Sequence, residues 1–278
     1  NVENKEAAQK WFGGDVVRSD SFVHINGLAS FREENRKDYG IYPYGEIVSA
    51  HTRRNIVAFI CNNDWFVAEF NMPYTRVQDG QLVVTNLDEN LSLPKPKGGP
   101  EFGIEKDDLE TLIVDDDYFF WYDRKNSGYI KCNYSSAMDI SQEQGDEKGG
   151  VQSYLNAKTT FINNWNDSKA DKDKFDVVAG IDSERGNIYL TFRPRRNRSN
   201  EADCFVNQRR NFELKSHETI QYSIQHKGWI PCPNFTPESY ARLRGKWANL
   251  EMFTFAAGVP YYHNGSPNDS FLNFYGKQ

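Results

Sequence analysis

Runs of acidic residues are the first feature of this sequence that could support chemistry. Asp115, Asp116 and Asp117 stand together before an aromatic stretch, where carboxylates could bind a cation or act as an acid/base pair. Successive residues of a strand point to opposite faces, so these three carboxylates do not converge on one point. We interpret the run as a solvated turn at the start of a strand, with a metal site as the alternative.

A second acidic stretch, 167–178, has the spacing of a calcium loop only in part. Asp167, Asp171 and Asp173 match, but Lys172 stands where the loop needs Gly and Val178 where it needs an acidic ligand. We therefore predict a disordered, charged loop here.

Arginines are concentrated between two predicted strands, in the segment 193–210. Guanidinium groups bind carboxylates and phosphates in a fixed geometry, so this segment could contact an acidic neighbouring subunit or a phosphate. A solvated loop is the alternative interpretation. The possible interface residues are Arg193, Arg195, Arg196, Arg198, Arg209 and Arg210.

The sequence contains no recognisable catalytic or cofactor motif. Its five histidines stand far apart, its four cysteines form no C-x-x-C pair, and it has neither G-x-S-x-G nor a Gly-rich phosphate loop. We predict no enzyme activity, no cofactor and no metal, although any two of the 39 acidic residues could supply the facing carboxylates of a glycosidase. The cysteines are interpreted as small core residues: Cys61, Cys132, Cys204 and Cys232.

Composition and charge narrow the class of protein. The chain has 278 residues and a net charge of -6, which gives no general attraction to nucleic acid or to an anionic membrane. No apolar run is long enough for a membrane span. Aromatic residues reach 14%, which favours strands over helices.

The elements that must position these residues are predicted as β-hairpins. Each has two aromatic or β-branched arms joined by a short polar turn. The hairpins are 53–70, 118–132, 177–192, 219–232 and 251–264. The predicted turn residues are Asp123, Gly128, Asp182, Gly186, Gly228 and Gly258. We expect Gly186 to need a positive φ and Asp182 to cap loop amides.

The run "YFFWY" at 118–122 suggests how these hairpins pack. Five bulky residues in succession need burial on both faces, which favours stacked sheets over one alternating strand. With hairpins spaced roughly as in propeller blades, the predicted fold is all-β, with β-propeller-like stacked antiparallel sheets. A β-sandwich with one fully buried strand is the alternative.

A Pro/Gly-rich stretch divides the chain. Residues 92–103, "SLPKPKGGPEFG", are predicted as a linker between an N-terminal β-rich segment, 1–91, and propeller-like blades, 104–278. Short helices are predicted at 3–12 and 236–243. Because the chain begins at Asn1 rather than Met, we expect it to be a fragment of a longer polypeptide.

The C-terminal half resembles a known family. "DVVAGIDSERGNIYLTF", followed by "YSIQHKGWIPCPNF" and the closing "NFYG", is similar to the muzzle or tail propeller proteins of crAss-like short-tailed bacteriophages. "YFFWYDRKNSGYIKC" with "AMDIS" resembles the preceding blade, so the resemblance covers about 104–276. These are packing and turn signatures, and residues 1–91 carry no matching motif. Gly258-Val259-Pro260 departs from the turn usual in the family.

This resemblance implies a structural component of the virion tail, with copies in a cyclic ring around the DNA exit path and other tail proteins as partners. It implies assembly in the host cytoplasm. The alternative is a carbohydrate-active or glycan-binding β-propeller, suggested by the many Trp and Tyr residues that could stack on sugars. We also expect residues 251–278 to pair with polypeptide outside this chain, so that the chain alone is poorly soluble or oligomeric.

Overall fold

The computed structural model describes residues 44–53, 56–69, 100–115, 117–142, 150–195, 217–232, 235–244 and 250–262, with the backbone alone of six further strands. In chain order the strands are β1 (Asp15–Ser19), β2 (Phe31–Asp38), β3 (Ile47–Arg53), β4 (Ile56–Cys61), β5 (Trp65–Glu69), β6 (Tyr74–Gln78), β7 (Gln81–Thr85), β8 (Ile113–Val114), β9 (Phe119–Asp123), β10 (Gly128–Cys132), β11 (Ala137–Asp139), β12 (Phe175–Asp182), β13 (Asn187–Pro194), β14 (Cys204–Asn207), β15 (Phe212–Lys215), β16 (Glu218–Ser223), β17 (Gly228–Pro231), β18 (Ser239–Arg244), β19 (Leu250–Ala256) and β20 (Val259–Tyr262).

Helices are few in the described residues. One α-helix, α1 (Gln152–Asp167), is accompanied by short 3-10 helices at Lys106–Thr111, Ile140–Gln142 and Asp171–Asp173. Among the described residues, no helix is long and apolar enough to cross a membrane. The chain is therefore mostly antiparallel β-sheet, as the hairpin pattern predicted.

Two compact units make up the chain. The first comprises Asn1–Lys106 with Asn133–Ala137, and the second comprises Asp107–Cys132 with Met138–Gln278. Of the predicted linker, 92–103, only the last four residues lie in the described part of the chain. There Phe102 is buried, its amide donates to Asp64 Oδ1 at 3.1 Å, and the amide of Ile104 donates to the Cys61 carbonyl at 2.9 Å.

The first unit is organised around the three-stranded sheet β3-β4-β5. Every residue of β4 after Ile56 is buried, as is β5 up to Ala68, so the middle of this sheet is covered on both faces. Phe59 stacks on Phe66, its partner across the two strands, with ring centroids 4.8 Å apart. The predicted turn at Asn62–Asp64 joins the two strands, which confirms this hairpin.

The second unit contains three sheets in succession along the chain. Their strand orders are β11-β10-β9-β8, β12-β13-β16-β17 and β18-β19-β20. The first sheet is an up-and-down meander. The second has the same order once the separate hairpin β14-β15 is set aside, and the third is a three-stranded meander. The other four predicted hairpins are confirmed as β9-β10, β12-β13, β16-β17 and β19-β20.

One apolar core joins the first two of these sheets and helix α1. Tyr122 of β9 meets Phe192 of β13 edge to face at 6.0 Å, and Tyr129 of β10 meets Trp229 of β17 at 5.9 Å. Leu155 and Ile162 contribute the apolar face of α1. The aromatic run 118–122 was predicted to be buried: Phe119–Tyr122 are, but Tyr118 is 38% exposed, so the prediction was wrong at that residue.

The third sheet packs on the opposite face of the second. Tyr189 lies 5.0 Å from Phe235 and 6.4 Å from Tyr240, measured between ring centroids. Gly180 of β12 permits this approach, because a Cβ there would lie 2.2 Å from Tyr240 Cδ1. The second sheet is therefore covered on both faces.

Two helix predictions need comment. The prediction of a helix at 236–243 was wrong, because β18 forms there and pairs with β19 from Ser239↔Phe255 to Arg244↔Leu250. In this strand Tyr240 faces the second sheet, and the alternation of side chains has period two. The helix predicted at 3–12 lies outside the described residues.

The prediction of a disordered loop at 167–178 was also wrong. Helix α1 ends at Asp167, a 3-10 turn follows at Asp171–Asp173, and β12 begins at Phe175. The helix escaped detection because its buried face includes Lys158 and Thr159 beside Leu155 and Ile162, which interrupts the apolar stripe expected of an amphipathic helix.

The described cysteines are core residues, as interpreted from the sequence. Cys61, Cys132 and Cys232 are buried. The side chain of Cys204 lies outside the described residues.

Candidate functional site

The most unusual feature of the second unit is a polar cluster between helix α1 and the second sheet. Tyr154 and Lys158 lie one helical turn apart and therefore project on the same side of α1. The Tyr154 hydroxyl donates to Glu218 Oε2 at 2.7 Å, and Lys158 Nζ donates to the same oxygen at 3.2 Å. A single carboxylate on β16 thus holds two residues of the helix.

Lys158 is fully buried at 0% exposure. Burial lowers its pKa, and the Glu218 carboxylate opposes that shift. The Lys158 ammonium group also makes a cation–π contact with Phe192, with Nζ 5.2 Å from the ring centroid. Burial and the same carboxylate raise the pKa of Tyr154 well above its ordinary value. Lys158 and Glu218 thus form a buried ion pair, and removal of either partner would leave the other charge buried without a counterion.

A second buried ion pair lies further along the same helix. Arg124 Nε donates to Asp108 Oδ2 at 2.7 Å and its Nη2 donates to Oδ1, a bidentate arrangement. Arg124 Nη1 also reaches Asn163 Oδ1 of α1 at 3.4 Å. Between the two ion pairs, the hydroxyls of Tyr122 and Thr159 form a buried hydrogen bond. Polar contacts therefore follow α1 for most of its length.

This arrangement orients a helix and does not present reactive groups to solvent. Lys158 and Asp108 have no exposed surface, and Tyr122 and Thr159 are buried. Each charged group has an opposite charge within hydrogen-bond distance. The Lys158–Glu218 pair fixes one register of the helix on the sheet, because a slip would leave a buried charge without its partner.

The predicted turn aspartates both cap their loops. In the β9-β10 hairpin, Asp123 Oδ1 accepts the amide three residues later at 2.9 Å, and in β12-β13, Asp182 Oδ1 does so at 3.2 Å. Ser223 Oγ has the same role in β16-β17, at 3.3 Å. Three hairpins therefore share one four-residue loop with the same cap.

The same loops each end in a residue with positive φ. That residue is Gly186 in the second hairpin, with φ of 64°, but Ser127 in the first and Lys227 in the third, with φ of 52° and 49°. Gly128 and Gly228 follow this position and begin the next strand. The glycines that look equivalent in the sequence thus stand at two different positions of the loop.

Gly258 lies in a different turn. With Ala257 at φ of 51° and Gly258 at 74°, the two residues between Ala256 and Val259 form a type I′ turn. In this hairpin geometry the backbone nitrogen of Pro260 points away from β19, towards the outer edge of the sheet. Proline has no N–H, so it removes one donor from that edge.

Two of the six predicted interface arginines lie in the described residues, and both bind acidic groups of the same unit. Arg195 Nε donates to Asp176 Oδ1 at 2.5 Å and its Nη1 pairs with Asp171. Arg193 Nη2 lies 3.6 Å from Asp176 and 3.9 Å from Glu110. Arg196, Arg198, Arg209 and Arg210 lie outside the described residues.

The described residues of the acidic run before β9, Asp115 and Asp117, do not form a metal site. Asp115 accepts from Arg242 Nη2 at 2.8 Å, Asp117 is exposed, and Asp116 lies outside the described residues. Within the described ranges, no group of three or more His, Cys, Asp or Glu side chains could hold a metal ion.

Sequence reasoning missed the cluster at α1. The i, i+4 spacing of Tyr154 and Lys158 was a weak signal, but Glu218 lies sixty positions after Lys158 and only strand pairing brings it there. Asp108 and Arg124 are joined in the same way, through the packing of a 3-10 helix on a hairpin turn.

No family model matches this chain, and no curated protein sequence does.

Proposed function

We propose that this chain is a structural component of a bacteriophage tail, part of a muzzle or tail-ring propeller around the DNA exit path. The observation that carries the proposal is the succession of meander sheets in the second unit, packed face to face in chain order. Consecutive antiparallel meanders stacked in this way are the arrangement of propeller blades. The sequence resemblance to tail propeller proteins covers the same residues.

The repeated hairpin loop supports a blade-like repeat. Loops that begin with Asp123, Asp182 and Ser223 share one cap and one position of positive φ. This loop closes one hairpin of the first sheet and two hairpins of the second, as repeated use of one hairpin unit would produce.

Rigidity also suits a tail component. Helix α1 is bound to the second sheet through the buried Lys158–Glu218 ion pair and a shared aromatic core. Relative movement would leave these charged groups in apolar surroundings. The acidic balance of the chain, a net charge of -6, would let DNA pass without strong binding.

The proposal places copies of this chain in a cyclic ring in the virion, in contact with other tail proteins. It is tested on purified particles of a phage that encodes the sequence. Mass spectrometry should find peptides from the chain, and averaged electron micrographs should show its density in a symmetric tail ring. Particles that are infectious and lack these peptides would refute the proposal.

The described tryptophans do not favour the carbohydrate-binding alternative. Trp65 and Trp121 are buried, and Trp165 and Trp229 pack against the core of the second unit. Sugar-binding sites need aromatic faces open to solvent. Release of reducing sugar by the purified chain, abolished by substitution of one acidic residue, would establish that alternative.

A further inference from the structure

Two buried nitrogen atoms of the second sheet lack a hydrogen-bond partner within the described part of the chain. They are Nε of Arg193, on β13, and Nε2 of His217, immediately before β16. Nearly all buried polar groups in folded proteins are hydrogen-bonded, and an exception often marks the position of a bound ion or water molecule. The two exceptions here belong to neighbouring strands.

Strand pairing places both side chains on one face of the sheet. Thr191 of β13 pairs with Thr219 of β16, and their hydroxyl oxygens are 2.8 Å apart. Arg193 lies two residues after Thr191. His217 lies two residues before Thr219, so the alternation of side chains puts both on the face of the two threonines. The Tyr240 hydroxyl lies 2.6 Å from Thr191 Oγ1, which identifies this face as the one that the third sheet covers.

The guanidinium group of Arg193 makes ion pairs but no hydrogen bond within the described residues. Its Nη2 atom lies 3.6 Å from Asp176 Oδ2 and 3.9 Å from Glu110 Oε2, and both distances exceed hydrogen-bond length. Asp176 Oδ1 instead accepts from Arg195 Nε at 2.5 Å. A guanidinium group has five N–H donors, and its side chain here is only 17% exposed.

His217 adds a donor beside this guanidinium group. Burial, and after it the positive charge of Arg193, lowers the pKa of His217 to about 4; Lys158 lowers it further and Glu238 opposes the shift. The ring is therefore neutral at pH 7. In the tautomer that carries its proton on Nε2, a neutral imidazole donates from that atom. Two strands thus offer donors to one acceptor.

We propose that the end of the second sheet beside Arg193 and His217 binds a small oxyanion, a carboxylate or a phosphate. A guanidinium group binds such an ion through two parallel N–H groups, and His217 Nε2 donates a further hydrogen bond. Solvent reaches this end of the sheet, because the neighbouring Glu110 side chain is 64% exposed.

The acidic groups around the site limit its affinity. Asp176 is neutralised by its hydrogen bond to Arg195, and Glu110 is exposed enough to turn towards solvent. Glu238 accepts from the Gly258 amide at 3.1 Å. Because these carboxylates repel an anion, we expect weak binding, with a dissociation constant on the order of 1 mM.

Titration of the intact chain with inorganic phosphate tests this inference, at neutral pH and at an ionic strength held constant with sodium chloride. NMR signals of the Arg193 Nε–H group and the His217 ring should shift saturably. A parallel titration with acetate distinguishes a carboxylate site from a phosphate site, and saturation by either ion supports the proposal. The bound anion should also raise the pKa of His217 from about 4 towards its ordinary value of about 6.5.

A pair of matched variants locates the bound ion. Arg193→Gln should weaken binding about tenfold or more, because it removes a charge-assisted hydrogen bond. The control Arg185→Gln, in the exposed turn of β12-β13, removes the same charge and should leave the dissociation constant within about twofold.

Two results would overturn the site. One is the absence of saturable shifts with both ions in the wild-type chain, which needs no variant to fold and would assign the two nitrogen atoms to water alone. The other is equal binding by Arg193→Gln and the wild type. Neither result depends on the location of the chain in a virion, so the site and the proposed tail function can fail separately.

Discussion

The buried ion pair between Lys158 and Glu218 allows a sharp test of how helix α1 is held. The substitution Glu218→Gln keeps the shape of the side chain and an oxygen that can accept the Tyr154 hydroxyl, but it removes the negative charge. Lys158, with no exposed surface, then has to remain charged without its anion or lose its proton.

Both outcomes lead to a similar magnitude. A buried charge without its partner destabilises a protein by roughly 3 to 5 kcal/mol. Neutralising a lysine of ordinary pKa near 10.4 at pH 7 costs about 5 kcal/mol, since each pKa unit corresponds to about 1.4 kcal/mol. We therefore expect Glu218→Gln to lower the free energy of unfolding by about 3 to 5 kcal/mol at pH 7. The loss should shrink to roughly 1 kcal/mol at pH 10, where deprotonation of Lys158 costs little.

The assay is urea unfolding followed by tryptophan fluorescence, because Trp165 lies on α1 and packs against Phe175. The double variant Lys158→Met/Glu218→Gln removes both charges and should recover most of the stability lost in the single variant. The control Glu184→Gln, in the exposed turn of β12-β13, should change stability by less than about 0.5 kcal/mol. A loss below about 1 kcal/mol for Glu218→Gln, or a double variant less stable than the single one, would refute the reasoning.

Three further predictions concern the turns and the packing of the sheets. Gly186→Val should lower the free energy of unfolding by about 1 kcal/mol or more, because φ at this position is 64°. Lys227→Gly should raise the free energy of unfolding by up to about 1 kcal/mol, because φ is 49° there. Equal melting temperatures for the two variants would contradict both expectations. Gly180→Ala should lower the free energy of unfolding by about 1 to 3 kcal/mol in chemical denaturation, since the new Cβ would overlap the Tyr240 side chain. An unchanged midpoint would contradict this, because it would mean that the two sheets move apart at no cost. Asp123→Ala should cost about 1 kcal/mol in thermal unfolding through loss of the loop cap, and Asp123→Asn, which retains an acceptor, should recover most of it.

The hairpins could be predicted from the sequence alone. Alternating or continuous runs of aromatic and β-branched residues, bounded by Asp, Asn and Gly, marked β4-β5, β9-β10, β12-β13, β16-β17 and β19-β20. These signals are local, since a strand and its turn are specified by neighbouring residues. The unbroken run of aromatics likewise indicated that β9 would be buried on both faces.

Helix α1 shows where local patterns stop being informative. Its buried face includes Lys158 and Thr159, so the apolar period that identifies a helix is interrupted. Those polar residues are acceptable there only because Glu218 and Tyr122 approach from other elements. Conversely, the stretch 236–243 resembled a helix, but pairing with β19 made it a strand.

The burial of charged groups and the identity of their partners could not be predicted, because both depend on how the folded elements pack. Glu218 meets Lys158, and Asp108 meets Arg124, through strand pairing and packing between residues distant in the chain. Arg193 was predicted as a possible interface residue, but it lies beside Asp176 and Glu110 of its own unit. Composition gives the number of these charged groups but not their positions. A pKa changes through burial and neighbouring charge, and both arise only once the sheets have packed.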